Sequence, residues 1–418
     1  MAARMKMQRA SIAAGSSSRT VATDEVRPWA ELHPDLLSRI TDGREMSLVD
    51  YASVRAVCNP WRSTIPPATP LLIYTARGRG LAATPDDGEV FYAAAFSLPA
   101  QRRLVVRPGL DSVVSNGSEC VGSGYNWLAI DENLSRPASR RLILMNPISG
   151  MRILLPELMN YAEWTVNKVV FAPNPSEADF AAVAMYGRGN DWNVGYARSG
   201  DQDWTELPHD GQRKNTIIDL VYHEDGRRVY CLTISGAVRV LHLPRGGETE
   251  AARVERLLPD GNGSLPFDPA SVFELPGLKL LTYFHPGNNY KSLVFCEGNL
   301  YQVWRNLITI RTAPQFRDLV NMDLGKEIIV LKYEPGSWPC WREVDDLGGC
   351  SVFIGKNNAV SFRADGKPWL RANCVYWIGG PQEEEAMVFD MVTQITTPFV
   401  PDGGFEGSVH WASCWYAS

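Results

Sequence analysis

"IIDLVYHEDGRRVYCLTISGAVRVLHLP", residues 217–244, contains three short apolar runs separated by two turn dipeptides. The dipeptides are Asp225-Gly226 and Ser235-Gly236, and both residue pairs favour tight turns between antiparallel strands. Apolar runs of four to eight residues bounded by such turns are typical of β-strands. The stretch therefore predicts three consecutive strands joined by two hairpin turns.

The same texture continues on both sides, from about residue 70 onward. Examples are "RRLILMNPISGMRILLP" (140–156), "EIIVLKYEPG" (327–336) and "AMVFDMVTQITTPF" (386–399). About 350 residues of this kind are too many for one β-sandwich, so a repeated architecture is expected. The pattern predicts a mainly β chain whose region 70–418 folds as a β-propeller.

A degenerate internal repeat supports this prediction. Residues 143–156 and 387–399 each contain an apolar strand, a turn and a second strand, with Asp390 in the place of Asn146 and Thr393 near that of Ser149. At roughly 40–50 residues per blade, the β region would hold about seven diverged blades.

The first part of the chain differs in pattern. Residues 1–26 are small, polar and without periodicity, which predicts a disordered tail. Residues 28–66 instead show helical spacing, with Ser47 as a candidate helix cap and Pro60 permitting only a bend or a short new turn. The apolar stripe of this segment comprises Leu36, Leu37, Ile40, Leu48, Tyr51, Val54, Val57, Cys58 and Trp61.

Two interpretations of this stripe are open. It can pack against the β domain as an ordinary helical hairpin, or it can face another protein. About 40 residues are too few for a robust independent domain. The "PPATP" exit (66–70) and the abrupt change of texture after it favour a module that a partner covers.

Composition excludes several classes of protein. The formal net charge is −6, whereas nucleic-acid binders normally carry a basic excess. No apolar run approaches the roughly 18 residues that a membrane span requires. The eight cysteines are scattered without a CxxC pair, which favours reduced thiols in an intracellular protein of the cytoplasm or nucleus. The basic, acid-poor leader leaves an organellar location as an alternative.

Motifs of catalysis and metal binding are missing from the sequence. The six histidines form no HExxH motif and no paired Cys/His spacing, and neither a GxSxG elbow nor a P-loop occurs. We therefore expect no catalytic residue, no metal and no cofactor. A further interpretation is a propeller enzyme whose catalytic residues converge in the central channel. No motif in the sequence supports it.

Residues 29–62, "WAELHPDLLSRITDGREMSLVDYASVRAVCNPWR", resemble an F-box. The family pattern is L-P-x-D-L-L-x-x-I, an acid before a second helix, and then V-R-x-V-C-x-x-W-R. The sequence departs from it at His33 and at "TDGREM" (41–46). The resemblance implies a three-helix module that binds a Skp-type adaptor through Leu32, Pro34, Leu36, Leu37, Ile40, Val54, Val57, Cys58 and Trp61, with Arg55 and Arg62 as a polar rim.

Residues 333–380 resemble the plant F-box family with a C-terminal KIB-type β-propeller, a kelch-related domain. The matching residues include Trp341, Glu343, the "LGG" of 347–349, and the "NCVY" of 373–376. This resemblance implies the substrate-recognition subunit of a Skp–cullin–F-box ubiquitin ligase, in which the propeller binds an unidentified target protein and the chain itself is not an enzyme. The alternative is a non-ligase binding propeller with a vestigial F-box, for which an organellar location is one option.

Overall fold

The computed structural model describes most of the chain in segments. The described residues are 29–41, 46–78, 90–106, 118–133, 140–158, 165–188, 191–208, 211–223, 227–244, 252–258, 264–269, 289–306, 326–378, 386–399 and 409–417. The tail predicted over residues 1–26 lies outside them.

Three α-helices follow a short 3-10 helix at Trp29–Glu31 and form the helical module. They are α1 (Pro34–Thr41), α2 (Leu48–Ala56) and α3 (Asn59–Thr64). Ser47 caps α2 as predicted, because its Oγ accepts a hydrogen bond from the Asp50 backbone N–H at 3.0 Å. Pro60 lies in the first turn of α3, where its missing N–H costs nothing, so it begins a new short helix after α2 has ended.

Twenty-five strands follow in the described residues. The first twelve are β1 (Leu71–Gly78), β2 (Val90–Ser97), β3 (Arg102–Val105), β4 (Glu119–Gly124), β5 (Trp127–Asn133), β6 (Arg140–Met145), β7 (Arg152–Leu154), β8 (Thr165–Phe171), β9 (Ala181–Arg188), β10 (Asp191–Arg198), β11 (Thr205–Glu206) and β12 (Ile217–His223). The others are β13 (Arg228–Thr233), β14 (Val238–His242), β15 (Arg253–Arg256), β16 (Asn289–Cys296), β17 (Asn299–Asn306), β18 (Ile328–Tyr333), β19 (Trp341–Glu343), β20 (Cys350–Ile354), β21 (Val360–Arg363), β22 (Cys374–Ile378), β23 (Ala386–Asp390), β24 (Ile395–Pro398) and β25 (Val409–Tyr416). A second 3-10 helix spans Arg213–Asn215.

Within the described residues these strands form six sheets, which are the blades of a propeller. Blades 2 to 5 are β4–β7, β8–β11, β12–β15 and β16–β19, each paired in chain order. Blade 6 has five strands in the order β21-β20-β22-β23-β24. Blade 1 has the order β25-β1-β2-β3, so β25 pairs with β1 and closes the ring.

The mainly β propeller with a three-helix module is confirmed, but the count of seven blades is wrong. A count based on typical repeat length fails here because some connections are much longer than the repeat assumes. Strand β17 ends at residue 306 and β18 begins at residue 328, and β15 and β16 are separated by residues 257–288. The described residues of these connections pair into no further sheet.

Residues 217–244 form the first three strands of blade 4. His223 pairs with Arg228 in the first hairpin, whose predicted Asp225-Gly226 turn lies outside the described residues. The Ser235-Gly236 turn is confirmed: the Gly236 N–H donates to the Thr233 carbonyl at 2.9 Å. Gly236 has a φ of 82°, which glycine adopts without strain.

The internal repeat is confirmed in atomic detail. Asn146 Oδ1 accepts hydrogen bonds from the backbone N–H groups of Ile148 and Ser149, both at 2.9 Å. In the equivalent turn of blade 6, Asp390 Oδ1 accepts from Val392 at 2.9 Å and Thr393 at 3.1 Å. Both side chains thus stabilise the turn between the last two strands of a blade.

One hydrophobic core joins the helical module to blades 1 and 2. Its members from the module include Leu37, Leu48, Tyr51, Trp61 and Ile65. Its members from the propeller include Leu71, Ile73, Ala95, Leu104, Leu128, Ile130, Ile143, Met145, Cys414 and Tyr416. The module is therefore folded against the boundary between these two blades, and we call this group of residues the shared core.

Candidate functional site

Three large apolar side chains of the predicted adaptor-binding group are open to solvent. Leu36 is 45% exposed and Ile40 is 43% exposed, and they occupy successive turns of one face of α1. Val57, which follows the last residue of α2, is 55% exposed. We call these three residues the exposed apolar set.

Two other residues of the predicted adaptor-binding group are buried within the chain. Leu37 is 2% exposed and Trp61 is 8% exposed, and both belong to the shared core. The Trp61 indole N–H also donates to the Trp29 carbonyl at 2.7 Å, which fixes the chain before α1. These side chains hold the module together and present no free surface to a partner.

Of the remaining four predicted residues, three lie at intermediate positions and one is exposed. Leu32, Val54 and Cys58 are half-buried and pack against the shared core. Pro34 is exposed at the first position of α1. The predicted group is therefore divided into four exposed residues, which are the exposed apolar set and Pro34, and five residues that are half-buried or buried.

The departure at His33 has a structural explanation. The His33 carbonyl accepts the Leu36 backbone N–H at 2.9 Å, and its ring Nδ1 accepts the Asp35 backbone N–H at 3.3 Å. His33 thus satisfies backbone donors at the start of α1, as a capping residue does. Residues 42–45 of the second departure lie outside the described residues.

The two arginines predicted as a polar rim have different roles. Arg55 Nε donates to the Ile65 carbonyl at 3.1 Å and ties α2 to the segment that leaves α3. Arg62 is exposed. Arg55 therefore stabilises the module internally, whereas the Arg62 side chain faces solvent on α3.

Backbone contacts also attach the module to blade 1. The Val105 N–H donates to the Met46 carbonyl at 3.1 Å, and Ser47 forms a parallel bridge with Val105 at the free edge of β3. On the exit segment, the Ala68 carbonyl accepts from Ser97 Oγ at 2.7 Å. The module is thus attached to blade 1 at the start of α2 and along the segment that leaves α3.

Asn358 lies near the central axis of the propeller. Its backbone N–H donates to the Ser123 carbonyl of blade 2 at 2.7 Å, and its Oδ1 accepts from the Tyr222 N–H of blade 4 at 2.7 Å. Asn358 itself follows β20 of blade 6. Asn358 belongs to blade 6 and bonds to blades 2 and 4, so it must lie close to the centre of the six-blade ring. The chain itself therefore occupies the central channel at Asn358.

A buried ion pair connects three further inner strands. Lys168 Nζ of β8 donates to Asp219 Oδ1 of β12 at 2.6 Å, and Asp219 Oδ2 accepts the Leu293 backbone N–H of β16 at 2.7 Å. Both side chains are almost completely excluded from solvent. Every one of these contacts joins one blade to the next, which is a structural role.

The described residues contain no group of three or more His, Cys, Asp or Glu side chains arranged to hold a metal ion. Within the same residues, no helix is long and apolar enough to cross a membrane. Among the surface features of the described residues, the exposed apolar set lies on the module that resembles an F-box.

Comparison with known proteins agrees with the fold. Residues 95–390 match the family model described as the KIB1-4 beta-propeller, which covers more than half of the chain. The chain belongs to the KIB1-4 beta-propeller family. The match starts in β2 and ends with β23, so it includes most of the ring and leaves out the helical module.

Two curated relatives come from Arabidopsis thaliana. F-box protein SKIP23 is 29% identical over 133 residues, which are 31% of this chain and 29% of that protein. F-box protein At2g26160 is 23% identical over 236 residues, which are 50% of this chain and 62% of that protein. The chain therefore matches less than two thirds of the length of either relative.

Solved structures resemble the chain only weakly. A structure from a study of two prolyl endopeptidases aligns over 93% of this chain and 55% of its own, with a TM-score of 0.30 and 10% identity. Cobalt-substituted Synechocystis ACO aligns over 81% and 82%, with a TM-score of 0.28 and 10% identity. Likeness at this level supports no functional inference.

Proposed function

We propose that this member of the KIB1-4 beta-propeller family is the non-catalytic substrate-recognition subunit of a Skp–cullin–F-box ubiquitin ligase. In this proposal the helical module binds a Skp-type adaptor, through it a cullin, and the propeller binds the target protein in the cytoplasm or nucleus. The names of the two Arabidopsis relatives, both F-box proteins, support it.

The observation that carries the proposal is the exposed apolar set. The shared core fills the interior of the module without Leu36, Ile40 and Val57. Folding of the chain therefore does not account for the exposure of these three side chains. Exposed apolar side chains that are grouped on a small element are common at protein interfaces. The adaptor would remove these three side chains from water.

The shared core also explains how such a subunit would work. Because the module and blades 1 and 2 are packed into one core, a target on the propeller would be held at a fixed position relative to the adaptor. Ubiquitin transfer would then occur at a high effective concentration of target lysines near the charged conjugating enzyme. The chain would contribute position and no chemistry.

The test is co-purification of the full chain with a Skp-type adaptor. Leu36→Asp with Ile40→Asp places two charges in the exposed apolar set, and we expect adaptor capture to fall at least tenfold. Val392→Asp with Ile395→Asp is the matched control, because Val392 and Ile395 are exposed apolar residues of the blade 6 hairpin. The control pair should bind like the wild type.

Circular dichroism and thermal melting of each variant would show that folding is intact. Equal binding by the Leu36/Ile40 variant and the wild type would contradict the proposed surface. Failure of the folded wild type to bind any adaptor would instead favour the second candidate, a binding propeller with a vestigial F-box. That candidate is motivated by the departures at His33 and 41–46.

A further inference from the structure

The strand that closes the propeller carries a cysteine in close contact with the next blade. Cys414 of β25 and Cys120 of β4 have their sulfur atoms 2.8 Å apart. Strands β25 and β4 are neighbours across the boundary between blades 1 and 2. A disulfide bond is about 2.05 Å long, so the two sulfur atoms are about 0.8 Å from bonding distance.

Other contacts hold the two strands in this arrangement. Ser123 Oγ donates to the Trp415 carbonyl, and Tyr416 Oη donates to the Asn126 carbonyl at 3.0 Å. On the Cys414 side these bonds come from the two following residues of β25, and on the Cys120 side they come from Ser123 of β4 and from Asn126 in the turn after β4. The thiols are thus kept opposite each other by the fold and do not depend on their own contact for position.

The two thiols differ in reactivity in a way that suits a stepwise reaction. The hydrogen bond from Cys414 lowers the pKa of the Cys120 thiol, and the nearby Lys356 ammonium, which pairs with Glu119 at 3.1 Å, favours the thiolate further. Burial raises the pKa of the Cys414 thiol. Cys120 is also the half-buried member of the pair, whereas Cys414 is buried.

We propose that Cys120 and Cys414 are an oxidisable dithiol that, when oxidised by a small disulfide such as oxidised glutathione, covalently fastens the closing strand β25 to blade 2. This inference is independent of the adaptor-binding proposal. It rests on the sulfur–sulfur contact, the neighbouring strands and the different exposure of the two residues.

The reaction proceeds by two exchanges. The Cys120 thiolate attacks one sulfur of the oxidant, forms a mixed disulfide and releases one glutathione thiolate. Cys414 then loses its proton, and its thiolate attacks Cys120 Sγ and expels the second glutathione. The protein loses two electrons and two protons, and the oxidant disulfide is reduced to two thiols.

The bond would lock the ring and the module together. Cys414 belongs to the shared core and Cys120 packs against it, so the bond would cross the interior that anchors the helices. It would also enclose almost the whole propeller in one covalent loop. Long loops give the largest loss of entropy in the unfolded chain, so oxidation should stabilise the fold.

A second pair supplies the internal comparison. Cys296 and Cys350 share a side-chain hydrogen bond across the boundary between blades 5 and 6, but both are buried. Burial raises the pKa of Cys296 to about 12. We expect this pair to stay reduced under conditions that oxidise Cys120 and Cys414.

The experiment treats the purified full chain with oxidised glutathione at pH 7.5 under native conditions. The expected result is a loss of two of the eight free thiols, a Cys120–Cys414 peptide in non-reducing mass spectrometry, and a melting midpoint several degrees higher that reverts with dithiothreitol. Cys414→Ser should stop at glutathione bound to Cys120, and Cys231→Ser, at a lone buried thiol, should react like the wild type.

Three results would overturn the proposal. One is a folded wild type that keeps all eight thiols, and another is a stable mixed disulfide on Cys120 that never resolves to the crosslink. The third is a crosslink between Cys296 and Cys350 formed at the same rate. Because peptide mapping of the wild type alone distinguishes these results, the test stands even if a serine variant does not fold.

Discussion

The backbone at Gly122 lies against the Val169 carbonyl so closely that an added β-carbon would come within 2.0 Å of that oxygen. Gly122 is on β4 and Val169 on β8, so the contact is between the inner strands of blades 2 and 3. The two backbones approach at a distance that only glycine permits. The close packing of blades 2 and 3 at this point therefore depends on the absence of a side chain at Gly122.

Gly122→Ala should destabilise the propeller by ~1–3 kcal/mol or more, because the backbone of β4 or β8 must move to admit the methyl group. Gly124→Ala is the graded control: its added carbon would meet the Asn358 β-carbon at 3.3 Å, which a small shift relieves. Urea denaturation of both variants measures the difference. Equal stability of the two variants would contradict the described strand contact.

Asp219→Ala should be among the most destabilising single changes in the propeller. It leaves the buried Lys168 ammonium without its carboxylate and the Leu293 N–H without its acceptor, which should cost ~3–5 kcal/mol. Asp365→Ala removes an exposed carboxylate 3.1 Å from Arg363 and should cost less than ~1 kcal/mol. Chemical denaturation checks both values, and a mild effect at Asp219 would show that the pair is not sealed from water.

The turn at Asp390 can be tested with its own counterpart in blade 2. Asp390→Ala removes the acceptor of two backbone N–H groups and should cost ~1–2 kcal/mol. Asp390→Asn should stay within ~0.5 kcal/mol, because Asn146 makes the same two bonds in blade 2. Thermal melting would decide, and an equal loss for both variants would mean that the carboxylate charge is what matters.

Trp61 should be more important for folding of the module than for its surface. Trp61→Ala empties part of the shared core and should cost ~3–5 kcal/mol, whereas Trp61→Phe loses chiefly the bond to the Trp29 carbonyl and should cost ~1 kcal/mol. Trp338→Ala, at a tryptophan that is 64% exposed, is the control and should be nearly neutral. Limited proteolysis of residues 29–66 would report the loss of packing.

Lys291 should give the stability of the protein a specific dependence on pH. Burial lowers the pKa of Lys291 from 10.5 to about 8, so the unfolded chain binds more protons at this site than the folded chain between those values. Stability relative to Lys291→Met should then rise as the pH rises from 8 to 10.5, by roughly 3 kcal/mol at most. Denaturant titrations at several pH values measure this difference.

The matched variant for this titration is Lys326→Met, which removes an exposed lysine. It should show no such rise relative to the wild type. If the difference between wild type and Lys291→Met were independent of pH over this range, the Ile234 carbonyl, which accepts from Lys291 Nζ at 2.5 Å, and the Trp304 ring, 4.1 Å from Nζ, would have to offset the effect of burial.

Local hydrogen bonding in turns and helix caps could be predicted from the sequence, whereas long-range packing could not. The turns at Asn146 and Asp390 and the cap at Ser47 depend on neighbours within three residues, so residue type and spacing predict them. The blade number depends on how much chain lies between strands, which spacing alone does not reveal. Seven blades were expected, and the described residues form six.

The candidate site was predicted in outline for the same reason. Helical spacing placed Leu36, Leu37 and Ile40 on one stripe, but it could not show that α1 turns Leu37 toward the propeller and leaves the other two exposed. That division depends on where blades 1 and 2 lie. The position of Asn358 at the centre likewise depends on contacts with residues more than a hundred positions away.

The shared core has a consequence for the order of events during synthesis. The helices that include Leu37 and Trp61 leave the ribosome before the propeller, yet Cys414 and Tyr416, which complete the same core, belong to β25 and are translated after every other described strand. Until β25 arrives, the early helices lack part of the interior against which they pack. A nascent chain would therefore display an unfinished module, and only a chain translated through β25 would offer a stable one.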